Sequence, residues 1–137
     1  MRLGGYSALV DPQSVVAGIY KQYQEVEYDA AGNMIISERH RHRYEVNPEY
    51  VAILKDHGLT FSGYYTREDN TQLMEFIEIS DHPFFVATQA HPEFKSRLEN
   101  AHPLFTGFIS ACIEQSKMLS ERVSSVVAIQ ASSQLAM

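Results

Sequence analysis

Residues 84–88 (Phe-Phe-Val-Ala-Thr) restrict the possible folds of this chain more than any other segment. The run is apolar without polar alternation, which is typical of a strand that is covered on both faces. Such a strand needs structure on each side of its sheet. We therefore predict that it is the central strand of a layered domain, and a chain of 137 residues has room for one such domain.

The rest of the pattern alternates between strand-like and helix-like segments. Residues 3–10 predict a strand and residues 14–22 a short helix, whereas residues 25–33 carry the charges and turn residues of an exposed excursion. A second helix is predicted to begin at Asn47-Pro48 and to end at Gly58. We therefore assign the chain to the α/β class.

The second half of the chain predicts a hairpin and a long helix. Residues 59–65 and 73–79 are β segments joined by a polar turn, and the second retains two glutamates, so we expect that it is not central. From Pro103 onwards, apolar residues recur every three or four positions, which predicts an amphipathic helix packed on the sheet. Residues 120–137 have no clear punctuation and predict a weakly ordered tail.

Composition excludes several classes of protein. Eleven Lys and Arg residues against seventeen Asp and Glu residues give a net charge of −6, which disfavours a nucleic-acid partner. No apolar run reaches the roughly 18 residues of a membrane span, so we expect no membrane partner and a cytoplasmic location. The one cysteine, Cys112, excludes an intrachain disulfide. Its place on the apolar side of the last helix predicts a buried, unreactive thiol.

The segment Gln89-Ala90-His91-Pro92-Glu93-Phe94 follows the apolar run directly. Ligands of open α/β sheets bind beyond the carboxyl ends of strands, and residues two apart on an extended backbone point the same way. His91 and Glu93 are therefore candidates for a general base and the carboxylate that orients it. The alternative is a histidine that caps a strand end beside a solvated glutamate. No serine or cysteine lies on a glycine-flanked turn that would supply a nucleophile.

Residues 38–45 (Glu-Arg-His-Arg-His-Arg-Tyr-Glu) alternate three arginines with two histidines. On a strand, the arginines would share one face and the histidines the other. Four interpretations compete: a nucleic-acid patch, a metal site at His40 and His42, a salt-bridged surface strand, and a clamp for an anion or carboxylate. The salt-bridged strand is favoured over the other three. His82 and His102 precede prolines and are predicted to be turn residues without a chemical role.

These motifs resemble the C-terminal part of the class I glutamine amidotransferase domain of the CTP synthase family. The matching segments are, in order, residues 1–4, 38–47, 81–86 and 91–97. The Arg-His-Arg-His-Arg-Tyr-Glu-Val-Asn run carries most of the specificity, because a His-Pro-Glu turn alone indicates only a triad-type glutaminase. The resemblance implies a partial flavodoxin-like, three-layer domain over residues 1–119 that lacks its N-terminal strands.

The resemblance also implies an activity and its participants. CTP synthases hydrolyse L-glutamine and use the ammonia for ATP-dependent amination of UTP to CTP, with Mg²⁺ as cofactor and GTP as activator. By motif match, His91 and Glu93 would belong to a Cys-His-Glu triad, and Arg43 would bind glutamine. We expect no cofactor or metal site within these residues, because ATP and Mg²⁺ belong to the synthetase domain of a homotetrameric parent.

The departures from the family pattern predict a fragment. The nucleophilic cysteine of the family precedes the Met-Arg-Leu-Gly strand, and Met1 corresponds to an internal methionine. We therefore expect a chain that is inactive alone and lacks a synthetase domain and an N-terminal amidotransferase segment. Ala90 also replaces a bulky aromatic residue of the family. The alternative is a non-catalytic regulatory or interaction domain on an amidotransferase scaffold.

Overall fold

A computed structural model describes the backbone of residues 1–135 and the side chains up to residue 125. The elements, in chain order, are β1 Arg2–Val10, α1 Val15–Tyr23, β2 Glu27–Tyr28, β3 Met34–His42, α2 Pro48–Asp56, β4 Thr60–Thr66, β5 Gln72–Glu78, β6 Val86–Thr88, a 3₁₀ helix Pro92–Phe94 and α3 Pro103–Leu135. Within the described residues, this is the mixed α/β architecture that the sequence predicted.

The strands form one sheet of order β2-β3-β1-β4-β5-β6, and every neighbouring pair is antiparallel. β1 and β3 pair along their whole length, from Arg2 opposite His42 to Val10 opposite Met34. β4 and β5 form the predicted hairpin. The excursion at residues 25–33 also returns as a hairpin, because the short β2 pairs with the start of β3.

The prediction of a central strand at residues 84–88 is wrong, whereas β5 is not central, as expected. The apolar run supplies only the three residues of β6, which lies at the edge of the sheet, while β5 lies between β4 and β6. Glu75 and Glu78 do not exclude β5 from the interior, because each buried carboxylate has partners. Glu75 accepts from the Arg2 guanidinium, and Glu78 accepts from the first two amides of α1 at 2.9 and 3.1 Å. Burial of a charged group is tolerated when it is paired and hydrogen-bonded.

The hydrophobic core lies between the sheet and α1. Ser14 caps α1, which then buries Val16, Ala17, Ile19 and Tyr20. The remaining core comes from β1, β3, β5 and the start of α3, and its buried side chains are Ala8, Val10, Met34, Ile36, Phe76 and Leu104. The second helix begins and ends as predicted, with Asn47 as N-cap and Gly58 at a φ of +89° after its end, but it buries no residue.

Among the side chains of α3 that the structure describes, only those in its first part pack on the domain. Leu104 is buried, and the Tyr23 hydroxyl lies 3.0 Å from that of Ser110. Further along, the apolar side chains are exposed, and so is Cys112, contrary to the prediction of a buried thiol. The reason is that no other element covers this part of the helix within the described residues. The predicted weak order of residues 120–137 stays a prediction; the backbone is helical to Leu135, and residues 136 and 137 lie outside the described part.

None of the helices in the described part of the chain is long and apolar enough to cross a membrane.

Candidate active site

The turn after β6 brings His91 and Glu93 together. The His91 Nδ1 and Glu93 Oε1 atoms lie 2.7 Å apart, and the His91 ring stacks on that of Phe94 at a centroid distance of 5.2 Å. The His91 amide donates to the Arg39 carbonyl oxygen at 2.8 Å, which attaches the turn to β3. Pro92 at the first position of the 3₁₀ helix stiffens the link between the two side chains. The geometry thus brings the two side chains into contact, and their shared role in one site stays a prediction.

The hydrogen bond decides which form each group takes. The hydrogen bond with His91 lowers the pKa of the Glu93 carboxyl. Glu93 is therefore a carboxylate at neutral pH and accepts the hydrogen bond from Nδ1–H of His91. The lone pair of a neutral His91 is then on Nε2. Among the described side chains, Nε2 makes no hydrogen bond, and about a third of the side chain, 35%, is exposed. This arrangement can accept a proton at Nε2 while Glu93 stabilises the imidazolium.

Arg43 lies in a different place. It follows the last residue of β3, is exposed, and lines a depression together with Arg2, Glu45, Tyr65 and Arg67, whereas His91 and Glu93 do not line it. The loop that carries Arg43 is held by two hydrogen bonds from the Arg2 guanidinium to Glu45, of 2.7 and 2.8 Å. The structure therefore joins two of the three predicted site residues and leaves Arg43 apart from them.

The alternation along β3 is confirmed. Arg39 and Arg41 are exposed, whereas His40 is buried and His42 is half-buried. The histidines are arranged as a hydrogen-bonded chain and not as metal ligands: His42 Nδ1 donates to the Tyr44 carbonyl oxygen at 2.9 Å, so its Nε2 accepts from His40 Nδ1 at 3.1 Å. In the part of the chain that the structure describes, no group of three or more His, Cys, Asp or Glu residues is placed to hold a metal ion. These residues do not fit a Mg²⁺ site.

A buried charged cluster lies beneath this strand. The Arg2 guanidinium contacts both Glu45 and Glu75, and Glu75 Oε2 lies 3.4 Å from His40 Nε2. The single Arg2 guanidinium thus pairs with two carboxyl groups. Burial, only partly opposed by Arg2, raises the pKa of Glu75 to about 7. Burial, together with the positive charge of Arg2, lowers the pKa of His40 to about 4. When Glu75 is neutral, the positive charge of Arg2 and the negative charge of Glu45 balance each other. The Glu75 carboxyl can then donate a hydrogen bond to His40 Nε2, which carries no proton.

A second buried cluster contains His102, which the sequence analysis left without a role. His102 Nε2 and the Tyr20 hydroxyl donate to Glu38 Oε1 at 2.8 and 2.9 Å, and Lys95 Nζ lies 3.4 Å from the same oxygen. Glu38 is buried, and burial opposes its ionisation. The His102 hydrogen bond, with Lys95 and Tyr20, outweighs burial and lowers the pKa of Glu38. Burial and the Glu38 charge together raise the pKa of Tyr20.

One signal in the sequence could have revealed Glu38. Met34 and Ile36 point into the core, and period-two alternation places Glu38 on the same buried face. A glutamate there needs a buried partner, and such partners are supplied by distant segments. No feature of the neighbouring sequence distinguishes His102, which lies just before the start of α3.

Comparisons with known proteins agree with this fold. Residues 15–111 match the family model of class I glutamine amidotransferases. The chain belongs to that family. It is 49% identical over 115 residues to the CTP synthase of Methanococcus maripaludis, covering 84% of this chain and 19% of that protein. It is 47% identical over 119 residues to the CTP synthase of Rhizobium meliloti, covering 87% of this chain and 19% of that protein.

A solved structure gives the same relationship. The chain superposes on the CTPS glutaminase domain of Trypanosoma brucei with bound acivicin at a TM-score of 0.68 and 33% identity, covering 83% of this chain and 40% of that chain. The resemblance to the glutaminase domain of CTP synthases and the class I amidotransferase fold are thereby confirmed. The chain spans about a fifth of the length of the curated relatives it matches.

Proposed function

We propose that this chain supplies the histidine and the carboxylate of a Cys-His-Glu triad that hydrolyses L-glutamine. His91 would be the general base and acid, and Glu93 its orienting carboxylate. The observation that carries the proposal is the 2.7 Å contact between His91 Nδ1 and Glu93 Oε1, which leaves the lone pair of Nε2 available. In a CTP synthase, the ammonia released would serve the ATP-dependent amination of UTP to CTP.

The chemistry runs through His91 Nε2. A cysteine thiolate attacks the glutamine carboxamide, the carbon–nitrogen bond breaks, and imidazolium gives its proton to the departing ammonia. The neutral ring then takes a proton from water, and the resulting hydroxide attacks the thioester. The carbon–sulfur bond then breaks and restores the thiolate beside the imidazolium, and the product acid releases its own proton to solvent as glutamate leaves. Glu93 remains a carboxylate throughout and stabilises each imidazolium.

The nucleophile of this reaction is not among the 137 residues. Their one cysteine, Cys112, is exposed on α3, whereas His91 is attached to β3. We infer that the thiolate comes from outside these residues and that they do not hydrolyse glutamine alone. A purified 137-residue chain is expected to release no glutamate above the buffer blank. A rate comparable with that of an intact amidotransferase would contradict the assignment of the missing group.

We also propose that Arg43 binds the α-carboxylate of glutamine. Its guanidinium is exposed, and a guanidinium binds a carboxylate through two parallel hydrogen bonds. In an NMR titration with L-glutamine, Arg43→Ala is expected to weaken binding by about tenfold or more, the effect of losing a charge-assisted hydrogen bond. Arg97→Ala, which removes an exposed arginine outside that depression, is the matched control. Equal affinity in the two variants would remove Arg43 from the site.

We propose that the whole protein forms CTP, because the relatives that this chain matches are CTP synthases. We propose on the same ground that the whole protein uses L-glutamine and has a synthetase domain that uses ATP and Mg²⁺. GTP would activate it, and it would assemble as a homotetramer. These proposals are tested by assaying CTP formation from UTP, ATP and glutamine when the rest of the amidotransferase and the synthetase domain are supplied.

A further inference from the structure

The turn around Pro92–Phe94 is attached to the sheet by polar contacts. No side chain of the 3₁₀ helix is fully buried, and Phe94 is 38% exposed, so polar contacts add to a partial apolar burial. At its start, the His91 amide donates to the Arg39 carbonyl oxygen at 2.8 Å. At its end, the Lys95 ammonium donates to the Ser37 carbonyl oxygen at 2.5 Å. Both acceptors belong to β3, so the turn is pinned to one strand at both ends.

The second of these attachments continues into the buried cluster. Lys95 Nζ lies 3.4 Å from Oε1 of the buried Glu38. His102 does not supply the balancing charge, because its Nδ1 accepts the Leu104 amide at 3.2 Å and its Nε2–H donates to Glu38. Among the described side chains, Lys95 is therefore the cation that accompanies this carboxylate. Its own side chain is 37% exposed, so it reaches inward from the surface.

An outside attachment matters here because the His91–Glu93 pair is itself exposed. Exposed ion pairs contribute little to stability, too little to hold two side chains in one geometry. A catalytic base needs its ring held within about 10–20° of the productive direction by the surrounding structure. The backbone of the turn must therefore be fixed by groups other than the pair.

We propose that Lys95 is a positioning residue for His91 and Glu93. Its ammonium fixes the far end of the turn on β3 and on Glu38, so that Glu93 keeps its hydrogen bond to His91 Nδ1 and Nε2 keeps its direction. The inference rests on the proposed function, because the direction of Nε2 matters only if His91 acts as a base.

The test uses the 137-residue chain and compares Lys95→Met with Lys95→Arg, which keeps the cation. Lys55→Met, on exposed α2, is the matched control. Long-range proton–nitrogen NMR spectra at about pH 8 report which nitrogen of the neutral His91 ring carries the proton. Hydrogen exchange of the His91 amide reports the attachment of the turn, and the Asp11 amide, bonded to the Ser62 carbonyl oxygen at 2.9 Å, is the distant reference.

The expected result is specific to the turn. In Lys95→Met, the Nδ1–H form of His91 falls from the dominant to the minor tautomer, and the His91 amide exchanges about tenfold faster relative to Asp11. Lys95→Arg restores the wild-type values, and Lys55→Met retains them. An unchanged tautomer in Lys95→Met overturns the inference. So does faster exchange by the same factor at both amides, because Lys95 would then be a general stabiliser.

The failure of the proposed function looks different. If the wild-type His91 ring carries its proton on Nε2, the assignment of His91 as a base oriented by Glu93 fails before any variant is compared. If the wild-type ring carries it on Nδ1 and Lys95→Met leaves it there, only the role of Lys95 fails.

Discussion

Replacing Glu75 by glutamine is expected to change how the stability of the fold depends on pH. Glutamine imitates the neutral form of Glu75: its carbonyl oxygen still accepts from Arg2, and its amide can donate to His40 Nε2. Burial raises the pKa of Glu75 from the usual 4.5 to about 7. The stability that neutral Glu75 contributes is therefore fully present below about pH 4.5 and is lost as the pH rises through about 7.

The size of the effect follows from the pKa. A rise from 4.5 to about 7 corresponds to about 3 kcal/mol, at about 1.4 kcal/mol per pKa unit. Most of this, about 2 to 3 kcal/mol, is lost between pH 5 and pH 8 in the wild type. Glu75→Gln lacks that loss. The free energy of unfolding of the variant, relative to the wild type, should therefore increase by about 2 to 3 kcal/mol from pH 5 to pH 8.

The contribution of His40 to stability depends on pH in the opposite direction, and this serves as the internal control. Its pKa is lowered to about 4, so its contribution is present above the usual 6.5 and is lost as the pH falls. In the wild type, the loss of stability from Glu75 and the gain from His40 nearly cancel as the pH rises from 5 to 6.5. Glu75→Gln should expose the His40 slope, with stability rising by about 2 kcal/mol between pH 5 and pH 8, and His40→Gln should expose the opposite slope.

The assay is urea denaturation at a series of pH values, followed by circular dichroism. Other carboxylates titrate equally in all the proteins, so the comparison between variants isolates the cluster. Parallel stability profiles for the wild type and Glu75→Gln would refute the reasoning, because they would show that Glu75 has the same pKa in the folded and unfolded chain.

Four further substitutions or modifications test the packing. Cys112 is exposed and should react fully with a thiol reagent in the folded chain, whereas protection until unfolding would contradict the position of α3. Gly63→Ala should cost about 1 to 3 kcal/mol, because the added Cβ would lie 2.7 Å from the Phe76 ring. The Cβ added by Gly18→Ala on α1 meets nothing within 4 Å, so this substitution should stabilise the fold by up to about 1 kcal/mol. Equal changes in stability for Gly63→Ala and Gly18→Ala would contradict the difference in free space at the two positions. Glu78→Gln should lower the free energy of unfolding by about 1 to 2 kcal/mol, since the carboxylate caps α1, and an unchanged urea midpoint would remove that cap.

The features that depend on near neighbours in sequence could be predicted. The ends of α2 follow from the chemistry of Asn47 and Gly58, and the alternation along β3 follows from period two. His91 and Glu93 are two positions apart, so the local backbone places both side chains on one side of the turn, whereas attachments to β3 keep them there. The catalytic role of this pair stays a prediction, as does that of Arg43.

The sequence by itself therefore determined the class of the fold, the local elements and the placement of His91 and Glu93 on one side of the same turn. Only the tertiary structure decided that β5 lies inside the sheet and β6 at its edge, because the outcome depends on where Glu75 finds Arg2, 73 positions away. The same holds for Glu38 and His102, which are 64 positions apart. A buried charge is stable only beside its partner, and composition or periodicity does not identify a partner brought in from a distant strand or helix.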